Sequence, residues 1–188
     1  TLVHAYAEPG LTYHTMAHIA HCLLELDRVR ETLPRPDEAE VALWYHDAVY
    51  RPDAADNERR SAELADQVLA GAGLPGDVRE RISAMILATA RHDLASDPDT
   101  AAVVDADLSI LGAPEPDFDA YEAAIRREYV LVPEAEFRAR RAEVLQRFLD
   151  RPAIYATPLF QRRYEAAARS NLARSLRQLA IDPPSPPR

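Results

Sequence analysis

A histidine followed directly by an aspartate, His46-Asp47, stands inside an apolar and aromatic segment, residues 42–50. Imidazole nitrogens and carboxylate oxygens are common ligands of divalent metal ions, and burying two such groups is costly unless they are paired or bind a metal. Adjacent residues on a helix diverge by about a quarter turn, so both side chains reach one ion only if other elements complete the shell. The segment therefore predicts a metal site whose remaining ligands lie elsewhere in the chain.

Two other pairs supply candidates for those ligands. His14 and His18 are four residues apart, so we expect them on one face of a helix. Asp105 and Asp107 are two apart on a later helix and diverge, so only one of them should face the histidines; Asp105 remains an alternative to Asp107. Two imidazoles and two carboxylates suit manganese, iron, zinc or magnesium. The predicted ligands are His18, His46, Asp47 and Asp107.

The elements that must position these residues are helices, because apolar residues recur with helical periodicity and no stretch alternates like a strand. We predict an all-α, single-domain fold over residues 1–182, followed by a disordered Pro-rich tail, 183–188. Start and stop signals place the helices at about 12–32, 37–47, 57–69, 75–90, 98–113, 118–130, 134–149 and 158–180.

Composition narrows the function classes. The chain has 31 acidic and 22 basic residues and a formal net charge of -9, which disfavours binding to nucleic acid or to an anionic membrane. No apolar run approaches the roughly 18 residues of a membrane span, and the first residues do not resemble a secretory signal. With Cys22 as the single cysteine no internal disulfide can form, which favours a cytoplasmic protein. The sequence leaves the oligomeric state open, a homo-oligomer included.

The order and flanks of these residues resemble the HD-domain superfamily of metal-dependent phosphohydrolases, especially a small bacterial branch of predicted HD-domain hydrolases. Cyclic-nucleotide phosphodiesterases are more distantly similar. The motifs span roughly residues 8–112, and the C-terminal helices add no motif of their own. The similar segments are Tyr13-His14-x-x-x-His18-Ile19, His46-Asp47-Ala48-Val49-Tyr50, Asn57-Glu58-Arg59-Arg60-Ser61-Ala62 and Ala106-Asp107-Leu108-Ser109.

The resemblance implies an HD-type helical bundle in which one divalent ion activates water for attack on a phosphate group. It also implies that His14 donates a proton to the leaving oxygen. Glu58 lies just beyond the loop after His46-Asp47, where its carboxylate could orient the attacking water. The candidate substrate contacts are Tyr50, Asn57, Arg91 and His92.

Three functions stay open at this point. The first is a metal-dependent phosphohydrolase for a small phosphorylated metabolite, such as a nucleotide. The second is a diiron oxygenase of the same superfamily; the members that hold two metals use two further histidines before the last aspartate, but only His92 lies in that interval, so one ion is expected. The third is a non-catalytic module in which the metal ties helices together, as complete ligation by protein groups would indicate.

Overall fold

The computed structural model describes residues 2–52 and 54–180, and this part of the chain has the predicted all-α architecture. Two 3₁₀ turns, Arg30–Thr32 and Ser109–Gly112, follow the second and sixth helices. The predicted tail, 183–188, lies outside the described residues. Among the described residues the α-helices are α1 (Leu2–Ala5), α2 (Met16–Asp27), α3 (Pro36–Tyr45), α4 (Asn57–Gly71), α5 (Gly76–Ala88), α6 (Pro98–Leu108), α7 (Glu115–Glu128), α8 (Glu134–Leu149) and α9 (Pro158–Ala180).

The predicted bounds of α8 and α9 are confirmed, whereas two helix ends near the predicted ligands differ from the prediction. Helix α2 begins at Met16 because the side chain of Thr15 accepts the N–H of Ala17 and caps the first turn. Helix α3 ends at Tyr45. The Nδ1 atom of His46 lies 2.9 Å from the carbonyl oxygen of Leu43 and bonds to it in place of the backbone N–H that a further helical turn would provide. The predictions that His14 shares a helix with His18 and that His46-Asp47 lies within a helix are therefore wrong.

Helices α3 and α6 lie side by side in the core and run in the same direction. At their starts, the backbone N–H of Arg35 donates to the buried carboxylate of Asp99 at 3.0 Å, and the Arg35 guanidinium lies 3.1 Å from the other oxygen. Every residue from 101 to 106 is buried, and all but Asp105 are apolar, as expected of a helix that lies inside the core. The parallel arrangement brings the far ends of both helices, His46 and Asp107, to the same place, where α2 also packs.

None of the helices in the described part of the chain combines the length and apolar character that a membrane crossing needs. The largest side chains that are completely buried come from both halves of the chain, and they include Tyr155, Phe118 and Phe160. The C-terminal helices therefore complete the core that holds α3 and α6 together.

Helix α9 packs against the 3₁₀ turn after α6 at Gly112, which has no room for a side chain. A Cβ atom at Gly112 would lie 2.6 Å from Cβ and 2.8 Å from the carbonyl oxygen of Tyr164. We expect Gly112→Ala to lower the free energy of unfolding by about 2 kcal/mol, because backbone would have to move apart. Urea denaturation measures the change. Gly71→Ala, with no atom within 4 Å of the new methyl, is the control and should be neutral or stabilising; equal losses in both variants would contradict the close packing.

Candidate metal centre

The four predicted ligands meet at one point in the core. His18 comes from the first turn of α2, His46 and Asp47 follow α3, and Asp107 lies in the last turn of α6. The Nε2 atom of His18 lies 3.2 Å from Nε2 of His46, 3.2 Å from Oδ1 of Asp107 and 3.5 Å from Oδ2 of Asp47. Nε2 of His46 lies 3.0 Å from Oδ2 of Asp47 and 3.5 Å from Oδ1 of Asp107. The four residues form a cluster that could hold a metal ion.

The spacings within the cluster fit the coordination shell of one ion. Ligand atoms that lie about 2.1 Å from an ion are about 3.0 Å apart at neighbouring octahedral positions and about 3.4 Å apart in a tetrahedron. The five spacings between donor atoms range from 3.0 to 3.5 Å. The donor set, two imidazoles and two carboxylates, therefore fits a single divalent cation.

Hydrogen bonding orients the His46 ring, and the imidazoles keep the carboxylates of the cluster ionised. The Nδ1 atom of His46 lies 2.9 Å from the Leu43 carbonyl oxygen, which can only accept, so Nδ1 carries a proton and Nε2 faces the cluster as a ligand. Burial alone would raise the pKa of Asp47, but the nearby His46 and His14 rings lower that pKa far below its usual value. Burial alone would likewise raise the pKa of Asp107, but the nearby His46 ring lowers it, and the net result is a pKa well below the usual value. Both carboxylates are therefore ionised at neutral pH.

The structure places Asp107, and not Asp105, in the cluster. Asp105 is buried on the opposite side of α6, where its two carboxylate oxygens accept the N–H groups of Ala156 and Thr157, each at 2.8 Å. These bonds hold the start of α9. Asp105 therefore has structural partners of its own, which accounts for a buried aspartate two residues before the predicted ligand Asp107.

Cys22 is a possible ligand that the sequence reasoning missed. Its buried thiol lies 3.6 Å from both ring nitrogens of His18, one turn earlier on α2, and it forms a second possible ligand group with His18 and Asp107. The four-residue spacing from His18 was the signal available in the sequence. A sulfur donor in this position would favour zinc or iron over magnesium.

His14 precedes α2 and is held by Glu128, the last residue of α7. Its Nδ1 atom lies 2.6 Å from Oε2 of Glu128, while Oε1 accepts the backbone N–H groups of Thr12, Tyr13 and His14 at 2.7, 2.7 and 3.0 Å. The His14 ring stacks on Tyr50 with ring centroids 3.6 Å apart. One carboxylate thus orders the loop before α2 and fixes the orientation of the imidazole.

A cavity of about 370 Å³ opens on the carboxylate side of the cluster. Asp47 and Asp107 line it, so an ion held there would be accessible from the cavity. Whether the other predicted residues act on a substrate stays a prediction. The cavity brings together all the predicted catalytic and substrate-contact residues: His14, Tyr50, Asn57, Glu58, Arg91 and His92.

Asn57 and Ser61 brace the segment that follows Asp47. The Asn57 amide accepts from the backbone N–H of Arg51 at 3.0 Å and donates to the carbonyl oxygen of Arg51 at 2.9 Å. The Ser61 hydroxyl accepts from the N–H of Val49 at 3.0 Å. The Asn-Glu-x-x-Ser-Ala segment at the start of α4 therefore has a structural role: its side chains hold the backbone that follows the His-Asp pair.

His92 has an unfavourable backbone conformation beside a predicted ligand. Its φ angle is 52°, a region that residues other than glycine rarely adopt. Its Nε2 atom lies 2.7 Å from Oδ2 of Asp107, and the Arg151 guanidinium donates to the carbonyl oxygens of both Arg91 and His92. The surrounding contacts thus hold His92 against Asp107, as is common at functional sites.

Helix α8, which the sequence analysis left without a motif, forms one wall of the cavity. Arg141, Val144, Arg147 and Phe148 line it at helical spacing. The Arg141 guanidinium pairs with Glu122 and donates to the Tyr121 hydroxyl at 2.8 Å, whereas Arg147 is exposed. Their spacing of three and four residues was the only sign in the sequence that they share a face.

Comparison of the chain with protein-family models, with curated proteins and with solved structures found no match. The resemblance to HD domains therefore stays a prediction. The function has to be argued from the arrangement of the side chains.

The stability contributed by Glu128 should depend on pH. Burial alone would raise its pKa, but the hydrogen bonds from His14 and from the backbone lower it from 4.5 to about 2. A lowered carboxylate pKa stabilises the fold above the unfolded value, and this contribution disappears as the pH falls towards the folded value. We expect Glu128→Gln to lower the free energy of unfolding by about 2 kcal/mol at neutral pH, with a smaller difference near pH 3. Urea denaturation at both pH values measures it, and an undiminished difference at acid pH would rule out this cause.

Proposed function

We propose that this chain is a metal-dependent phosphohydrolase that cleaves a phosphoester of a small metabolite, with nucleotides as the first class to test. The observation that carries the proposal is the position of the ligand cluster. The two carboxylates of the cluster, Asp47 and Asp107, line a cavity whose wall also includes the His14 ring and several arginines. An ion enclosed on all sides would support a purely structural role, whereas this cavity leaves it open to a substrate.

The residues that would hold one divalent ion are His18, His46, Asp47 and Asp107. Such an ion, when bound, supplies a Lewis acid for the phosphoryl group and lowers the pKa of water. The chain has a net charge of -9, so a phosphate needs positive charge gathered locally. Arg91 and Arg147, both exposed on the cavity wall, provide it.

Proton transfers in the reaction are assigned to His14 and Glu58. The oxygen of the attacking water forms the new bond to phosphorus as the bond to the leaving oxygen breaks. Because Glu128 binds Nδ1 of His14, the Nε2 edge is available to donate a proton to the leaving oxygen. The half-buried Glu58 carboxylate, on the same cavity wall, accepts a proton from water.

A cytoplasmic location belongs to the same proposal, since a single cysteine allows no internal disulfide.

Metal content and phosphate release test the proposal together. Elemental analysis of the purified chain should find about one metal ion per chain. Phosphate release from a panel of nucleotides, with and without added manganese, should depend on the metal. Metal without any phosphate release would favour the structural module, and two irons per chain without release would favour the oxygenase. The absence of metal under every loading condition would overturn the ligand assignment.

A further inference from the structure

A second cavity, of about 560 Å³, adjoins the first on the side of His14. The two share a wall that includes His14, Tyr50, Tyr121, Tyr129 and Arg141. The volume lies within the range of small-molecule sites, which are mostly lined by apolar and aromatic side chains. Beyond the shared wall, the second cavity is lined by the apolar side chains of Pro52, Ile125, Val132 and Phe137 and by the exposed Arg140.

The aromatic chamber, defined here by Tyr50, Tyr121, Tyr129 and Phe137, offers ring faces, and the charged groups beside it are guanidinium groups. The Tyr50 and Tyr129 hydroxyls lie 3.3 Å apart and bond to each other, and the Tyr121 hydroxyl accepts from Arg141. The rings of Tyr129 and Phe137 have their centroids 6.0 Å apart. None of the described residues that line this cavity is acidic or carries a side-chain amide. A planar aromatic group could therefore stack here, whereas the edge of a base would find no carboxylate and no side-chain amide among the described lining residues.

The position of His14 decides which part of a substrate reaches the aromatic chamber. His14 lines both cavities, whereas Asp47, Asp107, Arg91 and Arg147 line the first alone. If the phosphoryl group binds in the first cavity, beside the arginines and the predicted ion, the oxygen that His14 protonates lies at the junction of the two cavities. The group attached to that oxygen then extends into the aromatic chamber.

We propose that the aromatic chamber binds the leaving group of the substrate and that this group carries a flat aromatic ring, recognised by its faces rather than by a hydrogen-bonded edge. This inference rests on the proposed phosphohydrolase function and names its substrate class. Arylalkyl phosphates and nucleotides share this chemistry, so the experiment must distinguish them.

Two pairs of substrates isolate the effect of the ring, because the leaving oxygen is equally basic within each pair. The first pair is 2-phenylethyl phosphate and ethyl phosphate, and the second is AMP and ribose 5-phosphate. We expect kcat/KM to be about tenfold to a hundredfold higher with the ring in the first pair. The same preference in the second pair extends the class to nucleotides, and its absence there limits the class to other aryl groups. No preference in the first pair, whatever the second shows, overturns the proposal.

Replacing Phe137 tests the chamber itself. Phe137 is half-buried and lies outside the main hydrophobic core, so Phe137→Ala should fold. We expect it to reduce the phenylethyl-to-ethyl ratio of kcat/KM by about fivefold or more. Leu24→Ala removes an apolar side chain, 64% exposed on α2, that lines none of the cavities described, and should leave the ratio unchanged. An unchanged ratio in Phe137→Ala would also overturn the proposal.

A binding measurement separates this inference from the phosphohydrolase proposal. Phenylphosphonate and methylphosphonate cannot be hydrolysed, and calorimetry on the manganese-loaded protein gives their dissociation constants. We expect the phenyl compound to bind about tenfold more tightly, and Phe137→Ala to remove most of that difference. Absence of phosphate release from all substrates, together with this preference, would reject the hydrolase and keep an aromatic subsite. Phosphate release without the preference would reject the subsite alone.

Discussion

Replacing Asp47 with alanine will reduce the metal content from about one ion per chain to background and lower phosphate release by at least about a hundredfold. Asp47 contributes an oxygen that lies 3.0 Å from Nε2 of His46 and 3.5 Å from Nε2 of His18. Its removal leaves three donors and takes away half of the negative charge that offsets a cation. Elemental analysis and a phosphate assay on the same preparation measure both effects. An unchanged metal content would show that the ion, if any, is held elsewhere.

Asp105 and Asp107 provide a matched control for this result, because both are aspartates near the end of α6. Asp107→Asn should lose metal as Asp47→Ala does. Asp105→Asn should keep the metal and instead lower the unfolding temperature, since Asp105 accepts the N–H groups of Ala156 and Thr157. The reverse pattern, with metal lost from Asp105→Asn alone, is incompatible with the cluster as assigned.

Replacing His14 with alanine will leave the metal content unchanged and lower kcat on alkyl phosphates by about 100-fold to 10,000-fold. His14 stands outside the ligand cluster, and its ring is oriented by Glu128. Its loss should therefore remove a proton donor without removing a ligand. Elemental analysis and steady-state kinetics on ethyl phosphate measure the two quantities.

The acidity of the leaving group distinguishes proton donation from simple positioning. A 4-nitrophenolate group departs without protonation, so His14→Ala should lose much less activity on 4-nitrophenyl phosphate than on ethyl phosphate. Equal losses on both substrates would mean that His14 only positions the phosphate. Glu128→Gln should follow the same pattern with smaller losses, because it disturbs the orientation of the imidazole without removing it.

The sequence predicted the helices most accurately where their start signals are local. Helix α8 begins with acidic residues after Pro133, and α9 begins at Pro158, and both have the predicted bounds. The prediction failed at the start of α2 and at the end of α3, where side chains make the hydrogen bonds that a further helical turn would otherwise make. Helical periodicity alone could not reveal that Thr15 caps α2 or that the His46 ring bonds to the carbonyl of Leu43.

The candidate site could be predicted only in part, for a related reason. Residue type and order pointed to the four clustered residues, since histidines and aspartates in apolar segments need a partner. The partner of His14 could not be found in this way, because Glu128 is 114 residues away and stands in an ordinary amphipathic helix. The arginines of α8 were hidden among the 22 basic residues of the chain until the fold brought them to the cavity.

The end of α7 contacts both His14 and the aromatic chamber. Glu128 holds His14, the proposed proton donor, and its neighbour Tyr129 bonds to Tyr50 and lines the aromatic chamber. If the proposed function holds, a substitution that shifts this helix end is expected to change turnover and the preference for the leaving group together.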